Sequence, residues 1–90
     1  MSAAQSADRY DNVPTAAVYD TFAETATRLA GRYTRLSDTA PSAAERERWW
    51  QKTLELRTIK QAVPAHDRAQ LIAHIDAWEA ELARLRNDRV

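Results

Sequence analysis

The sequence predicts an all-α protein, a three-helix bundle behind a disordered N-terminal tail, and three observations predict it. Glycine occurs once and proline three times in 90 residues, too few turn residues for a sheet of many strands. Apolar residues recur at alternating spacings of three and four along most of the chain, the period of one helix face. Ser42 with Glu45, and Asp67 with Gln70, place an oxygen acceptor three residues ahead of an acid or amide, the pattern of a helix start. Met1 to Asn12 is small, polar and aperiodic and is expected to be the tail, leaving residues 13–90 as one helical domain.

The first helix is expected over about residues 14–36. Pro14 suits a first helical turn, with Asn12 or Val13 at the cap. Tyr19, Phe22, Ala26, Leu29, Tyr33 and Leu36 form its stripe. Asp20 and Glu24 lie early and Arg28, Arg32 and Arg35 late, the order the helix dipole favours, and Glu24 and Arg28 are spaced for an ion pair. Gly31 costs about 1 kcal/mol against alanine in a helix interior and marks a place where the helix would fray or bend.

The second helix is expected over about residues 42–63, stopped by Pro64, which disfavours helical geometry in the residue before it. Trp49, Leu56, Ile59 and Val63 share a face, while Trp50 and Leu54 lie well round the cylinder. A helix apolar on two sides has either two neighbours or one neighbour and an external partner. The third helix, about residues 65–88, carries the firmest stripe: Leu71, Ile75, Trp78, Leu82 and Leu85. The short connection at residues 62–65 makes helices two and three antiparallel neighbours.

The residue inventory argues against several classes of function. Thirteen basic side chains balance thirteen acidic ones, so the basic excess of a nucleic-acid binder is missing. No cysteine is present, which suits a reducing cytoplasm and removes zinc thiolates. His66 and His74 lack spaced partners that would complete a metal shell. No long apolar run predicts a membrane span and no signal-peptide pattern opens the chain. The carboxylates are dispersed, and neither a glycine-rich phosphate loop nor a nucleophile elbow occurs. The expectation is a cytoplasmic protein that is no enzyme and uses neither cofactor nor metal. Arg84, Arg86 and Arg89 complement the C-terminal dipole of the third helix.

The aromatics point to binding instead. Three Trp and three Tyr exceed what so small a bundle needs, and aromatic residues are enriched at the centres of interfaces. Trp78, in mid-stripe, is core. One of Trp49 and Trp50 is core and the other an interface residue, with Trp50 the candidate. Tyr19 and Phe22, near the start of the first helix, are either core or an aromatic hook that projects from the bundle.

The C-terminal half resembles the epsilon antitoxins of epsilon/zeta toxin–antitoxin systems. The residues that carry the likeness are Asp67-Arg68-Ala69-Gln70-Leu71, Ala73 and the step Asp76-Ala77-Trp78, with Leu54 to Val63 similar to the preceding helix. Tyr19-Asp20-Thr21-Phe22-Ala23-Glu24 is similar to the family's aromatic–acidic opening, with its two aromatics one residue closer together. Residues 1–12 and the acid-poor stretch after Glu24 depart from the family. The resemblance implies a three-helix antitoxin that binds a zeta-type toxin, a P-loop kinase acting on a UDP-amino sugar, and blocks its ATP site with the first helix. Tyr19, Asp20, Phe22, Glu24 and Trp50 are then the expected partner-binding residues. The alternative is a self-associating helical adaptor without a toxin partner, since the stripes on helices one and three equally suit a homodimer.

Overall fold

The computed structural model describes residues 9–88 and is an all-α three-helix bundle: α1 (Thr15–Asp38), α2 (Ala43–Ala62) and α3 (Arg68–Asp88). The first eight residues of the expected tail, and the last two residues of the chain, with Arg89, lie outside the described region. Arg9 to Asn12 depart from the expectation of disorder. Tyr10 to Asn12 form a turn in which Val13 N–H donates to Tyr10 O at 3.0 Å, and Tyr10 is buried. The Arg68 guanidinium holds this turn, donating to the Tyr10 carbonyl and, at 3.1 Å, to Thr15 Oγ1.

Capping accounts for two of the three helix starts. Ser42 Oγ accepts from Glu45 N–H at 3.1 Å, and Asp67 Oδ1 accepts from Gln70 N–H at 3.2 Å. The reciprocal half of the second box is altered. Gln70 Nε2 donates to Asp67 Oδ2 at 2.7 Å, while Asp67 N–H is taken by Pro64 O at 3.0 Å. That Pro64–Asp67 turn leaves α3 to start at Arg68, directly after the Asp67 cap and three residues later than the expected bound at 65. At α1 the cap is Pro14 itself, with no side-chain acceptor, so neither Asn12 nor Val13 plays that part. Pro14 O accepts from Ala17 and Val18 N–H at 2.9 and 3.0 Å. Helix α1 runs unbroken through Gly31.

The stripes became core. Leu71, Ile75, Trp78 and Leu85 are buried with Phe22, Ala26, Leu29, Tyr33, Leu56 and Val63, while Tyr19, Leu36, Trp49, Ile59 and Leu82 are partly buried around them. Val18 joins the core, and so do Thr25 and Thr53, two polar residues that a hydrophobic pattern passes over. Their hydroxyls are satisfied locally: Thr25 Oγ1 donates to Thr21 O at 2.7 Å and Thr53 Oγ1 to Trp49 O at 3.1 Å. With the hydroxyl turned back to the helix, each presents a methyl group and packs like a small valine.

The arrangement of the helices differs from the expected one. Helix α1 lies between the other two, and among the described residues no Cα of α2 comes within 8 Å of one in α3. Ser37 Oγ donating to Arg46 O at 3.0 Å, and Tyr33 stacked on Trp49 at 5.8 Å, set α2 antiparallel to α1. Arg68 beside Thr15 and Phe22 against Trp78 at 5.0 Å set α3 parallel to α1. A short loop fixes the direction in which the next helix runs, but α1 is apolar over a wide arc and covers both partners. Helix α2 therefore has one neighbour, and its second apolar side stays open.

Candidate partner-binding surface

The five residues expected to bind a partner separate into three groups. Asp20 and Glu24 are exposed, one turn apart on α1. Glu24 and Arg28 make no ion pair within 4.0 Å, because the ion pairs of the described residues are Arg9–Glu79 at 3.3 Å and Arg84–Glu81 at 2.8 Å. Glu24 instead borders a shallow depression of about 430 Å³ with Ala23, Thr27 and Arg28.

Tyr19 is half-buried. One side of its ring meets Phe22, centroid to centroid at 5.7 Å, and the residue edges an open groove of about 470 Å³ with Arg57, Lys60, Gln61, Val63 and Ala65. Phe22 is not available to a partner. It is fully buried, 5.0 Å from the Trp78 ring and 6.3 Å from the His74 ring, which itself stacks on Trp78 at 5.2 Å. Of the two side chains proposed as an aromatic hook, only Tyr19 faces outward. Phe22 is the floor behind it.

Among the described residues Trp50 is the large hydrophobic side chain left exposed, at 42 %. It stands apart from the acidic pair: Tyr19 lies beside Val63, and twelve residues of α2 separate Val63 from Trp50, about 20 Å along the helix. Trp49, its neighbour, is the one that packs inward, on Tyr33. A shallow depression nearby is lined by Gln51, Leu54, Glu55, Thr58 and Ile59.

One polar network lies at the edge of the bundle, running from the buried Tyr33 to the exposed Arg84, and has no counterpart in the sequence reading. Tyr33 Oη donates to Glu81 Oε2 at 2.8 Å, and Arg84 donates from Nε and Nη2 to the same carboxylate at 2.8 and 2.9 Å. The Arg84 fork, helped by the Tyr33 hydroxyl, holds the Glu81 carboxyl below the usual range against an opposing effect of partial burial. Burial, and then the bond to Glu81, push the Tyr33 phenol far above its ordinary value of 10.0. The two shifts bound a window of pH. The Glu81 contribution to stability is present above the ordinary carboxyl value of 4.5 and is lost as pH falls through its lower folded value. The Tyr33 contribution is present below pH 10.0 and is lost as pH rises toward its folded value. Urea midpoints of the wild type should fall above pH 10, with a slope approaching about 1.4 kcal/mol per pH unit for this one group. Tyr33→Phe should fall less steeply over the same range. Parallel curves for the two proteins would remove Tyr33 as the cause.

Among the described residues no three His, Asp or Glu side chains converge as a metal shell, and no helix is long and apolar enough to cross a membrane. His66 is exposed on the turn before α3, and His74 is committed to its aromatic neighbours. Compared with protein-family models, with curated proteins and with solved structures, the chain matches none.

Proposed function

We propose that this chain is an antitoxin-like interaction protein that neutralises a zeta-type P-loop kinase by laying the N-terminal half of α1 over its ATP site. The observation that carries the reading is the placement of Asp20 and Glu24, exposed one turn apart on α1 beside the half-buried Tyr19 and engaged in no internal ion pair. Two carboxylates so placed can pair with the basic residues that a kinase uses to hold phosphates. Tyr19 adds rigid apolar area next to them, braced by Phe22 from behind. Inhibition then needs no chemistry from this chain. Occupying the site is enough.

Co-expression with the product of the neighbouring gene tests the idea. The combined substitution Tyr19→Ala, Asp20→Asn and Glu24→Gln should release toxicity and weaken the complex on the order of a hundredfold or more, with the helical circular dichroism signal retained. Full neutralisation by the triple variant would sink the proposal, as would a genomic neighbour that lacks a P-loop or does not co-purify.

The second reading, a self-associating adaptor, is favoured by a different observation. The stripes of α1 and α3 cover each other and are not free for a homodimer, but the outer side of α2 leaves Trp50 at 42 % exposure beside the half-buried Leu54. An adaptor of this kind would be a discrete dimer by light scattering at micromolar concentration, and Trp50→Ser would return it to a monomer.

A further inference from the structure

Four arginines gather on the α3 side of α1. Arg28, Arg32 and Arg35 follow one another along α1 at spacings of four and three, and Arg86 reaches the same place from α3 because the two helices run parallel. With Gly31 and Leu82 they line an open groove of about 520 Å³. No carboxylate lines it, and none of the four arginines belongs to the ion pairs of the described residues.

Helix dipoles account for only part of this cluster. Arg35 and Arg86 stand in the last turns of their helices, where the C-terminal dipole favours a cation. Arg32 and Arg28 lie one and two turns further in, beyond the reach of that field, where like charges four apart repel. Gly31 adds to the case. A Cβ there would meet nothing within 4 Å, so the glycine makes no room for another helix of the bundle, and the groove floor stays at the level of the backbone. In a chain whose charges balance, this is a local concentration of positive potential.

We propose that this groove binds an acidic helical segment of a partner protein, its carboxylates spaced by single turns and paired with the guanidiniums, with an apolar side chain resting on Leu82. The shape and chemistry of the groove select this among anions. From Arg28 to Arg35 is about 10 Å along the axis, the length of a charge spread over two helical turns and not of a single phosphate. No aromatic ring lines the groove to stack a base, as single-stranded nucleic acid or a nucleotide would use. Compact phosphate sites lie at helix N-termini, whereas this groove lies between the C-terminal halves of α1 and α3. Guanidinium forks, by contrast, fit carboxylates in pairs of parallel hydrogen bonds. The groove adjoins Glu24, which shares a shallow depression with Arg28, but it takes an acidic ligand where Glu24 takes a basic one, so the proposal does not rest on the kinase reading.

Fluorescence anisotropy with the full chain at low salt tests it. The ligand is a labelled alanine-based helical peptide with glutamates at i, i+4 and i+7, and the comparisons are sodium tripolyphosphate as a competitor and a short labelled DNA duplex. The peptide should bind, and binding should weaken steeply with added salt. Arg28→Gln combined with Arg32→Gln should cut its affinity about tenfold or more, while Arg57→Gln, on α2 outside the groove, should leave it unchanged. None of these side chains is buried, so the helical circular dichroism signal should be the same for all. Absence of peptide binding at millimolar concentration, or an affinity indifferent to the double substitution, would overturn the proposal. So would tripolyphosphate or the duplex binding more tightly than the peptide through the same arginines.

Discussion

Phe22→Ala should unfold this protein or bring it close to unfolding. Phe22 is fully buried on the central helix, against the rings of Tyr19, Trp78 and His74 at 5.7, 5.0 and 6.3 Å. Truncating a buried phenylalanine costs about 3–5 kcal/mol, and the whole stability of a domain is on the order of 5–15 kcal/mol. For a chain of this length the midpoint of thermal unfolding should drop by at least about 15 °C, or the cooperative transition should disappear. The measurement is a circular dichroism melt, and it bears on function as well as on stability. A variant that melts like the wild type would mean that Phe22 is a surface side chain after all, available to a partner.

Tyr10→Ala should be the most damaging change outside the helices' own stripes. The ring is 7 % exposed, and its residue closes the turn that Arg68 holds through the Tyr10 carbonyl and Thr15. Losing the burial costs about 2–3 kcal/mol, and loosening the turn puts at risk hydrogen bonds worth about 1 kcal/mol each. A urea titration should show the midpoint falling accordingly. A true tail would tolerate the change with no shift in midpoint.

Periodicity and capping made the helices legible, and they did so for identifiable reasons. The stripe of Leu71, Ile75, Trp78 and Leu85 is buried because each of those side chains must leave water, whichever helix receives it. Ser42 and Asp67 cap as their spacing suggests because the cap is a local bond. What periodicity omits is the identity of the receiving surface. It names the face of α3 but not that α1, with the whole of α2 between them in sequence, is what covers it. Tyr10 escaped for a related reason: a single aromatic in a polar run has no period, and its burial depends on Arg68, 58 residues later. Thr25 and Thr53 escaped because their polarity is cancelled within their own helix. Of the residues proposed to bind a partner, Asp20, Glu24 and Trp50 are exposed, while Phe22 belongs to the core. The arginine groove was invisible until α1 and α3 lay side by side and parallel.

The position of α1 between its two partners also bears on how the chain comes to be folded during synthesis. The α1–α2 hairpin closes over a connection of a few residues and can form early, with small loop-closure cost. The parallel α1–α3 pair must wait until the chain has travelled the length of α2 and back, because Phe22 is covered by residues as late as Trp78. Until α3 has left the ribosome, the hairpin carries an uncovered aromatic face. The arrival of α3 is therefore what turns a sticky intermediate into a closed bundle.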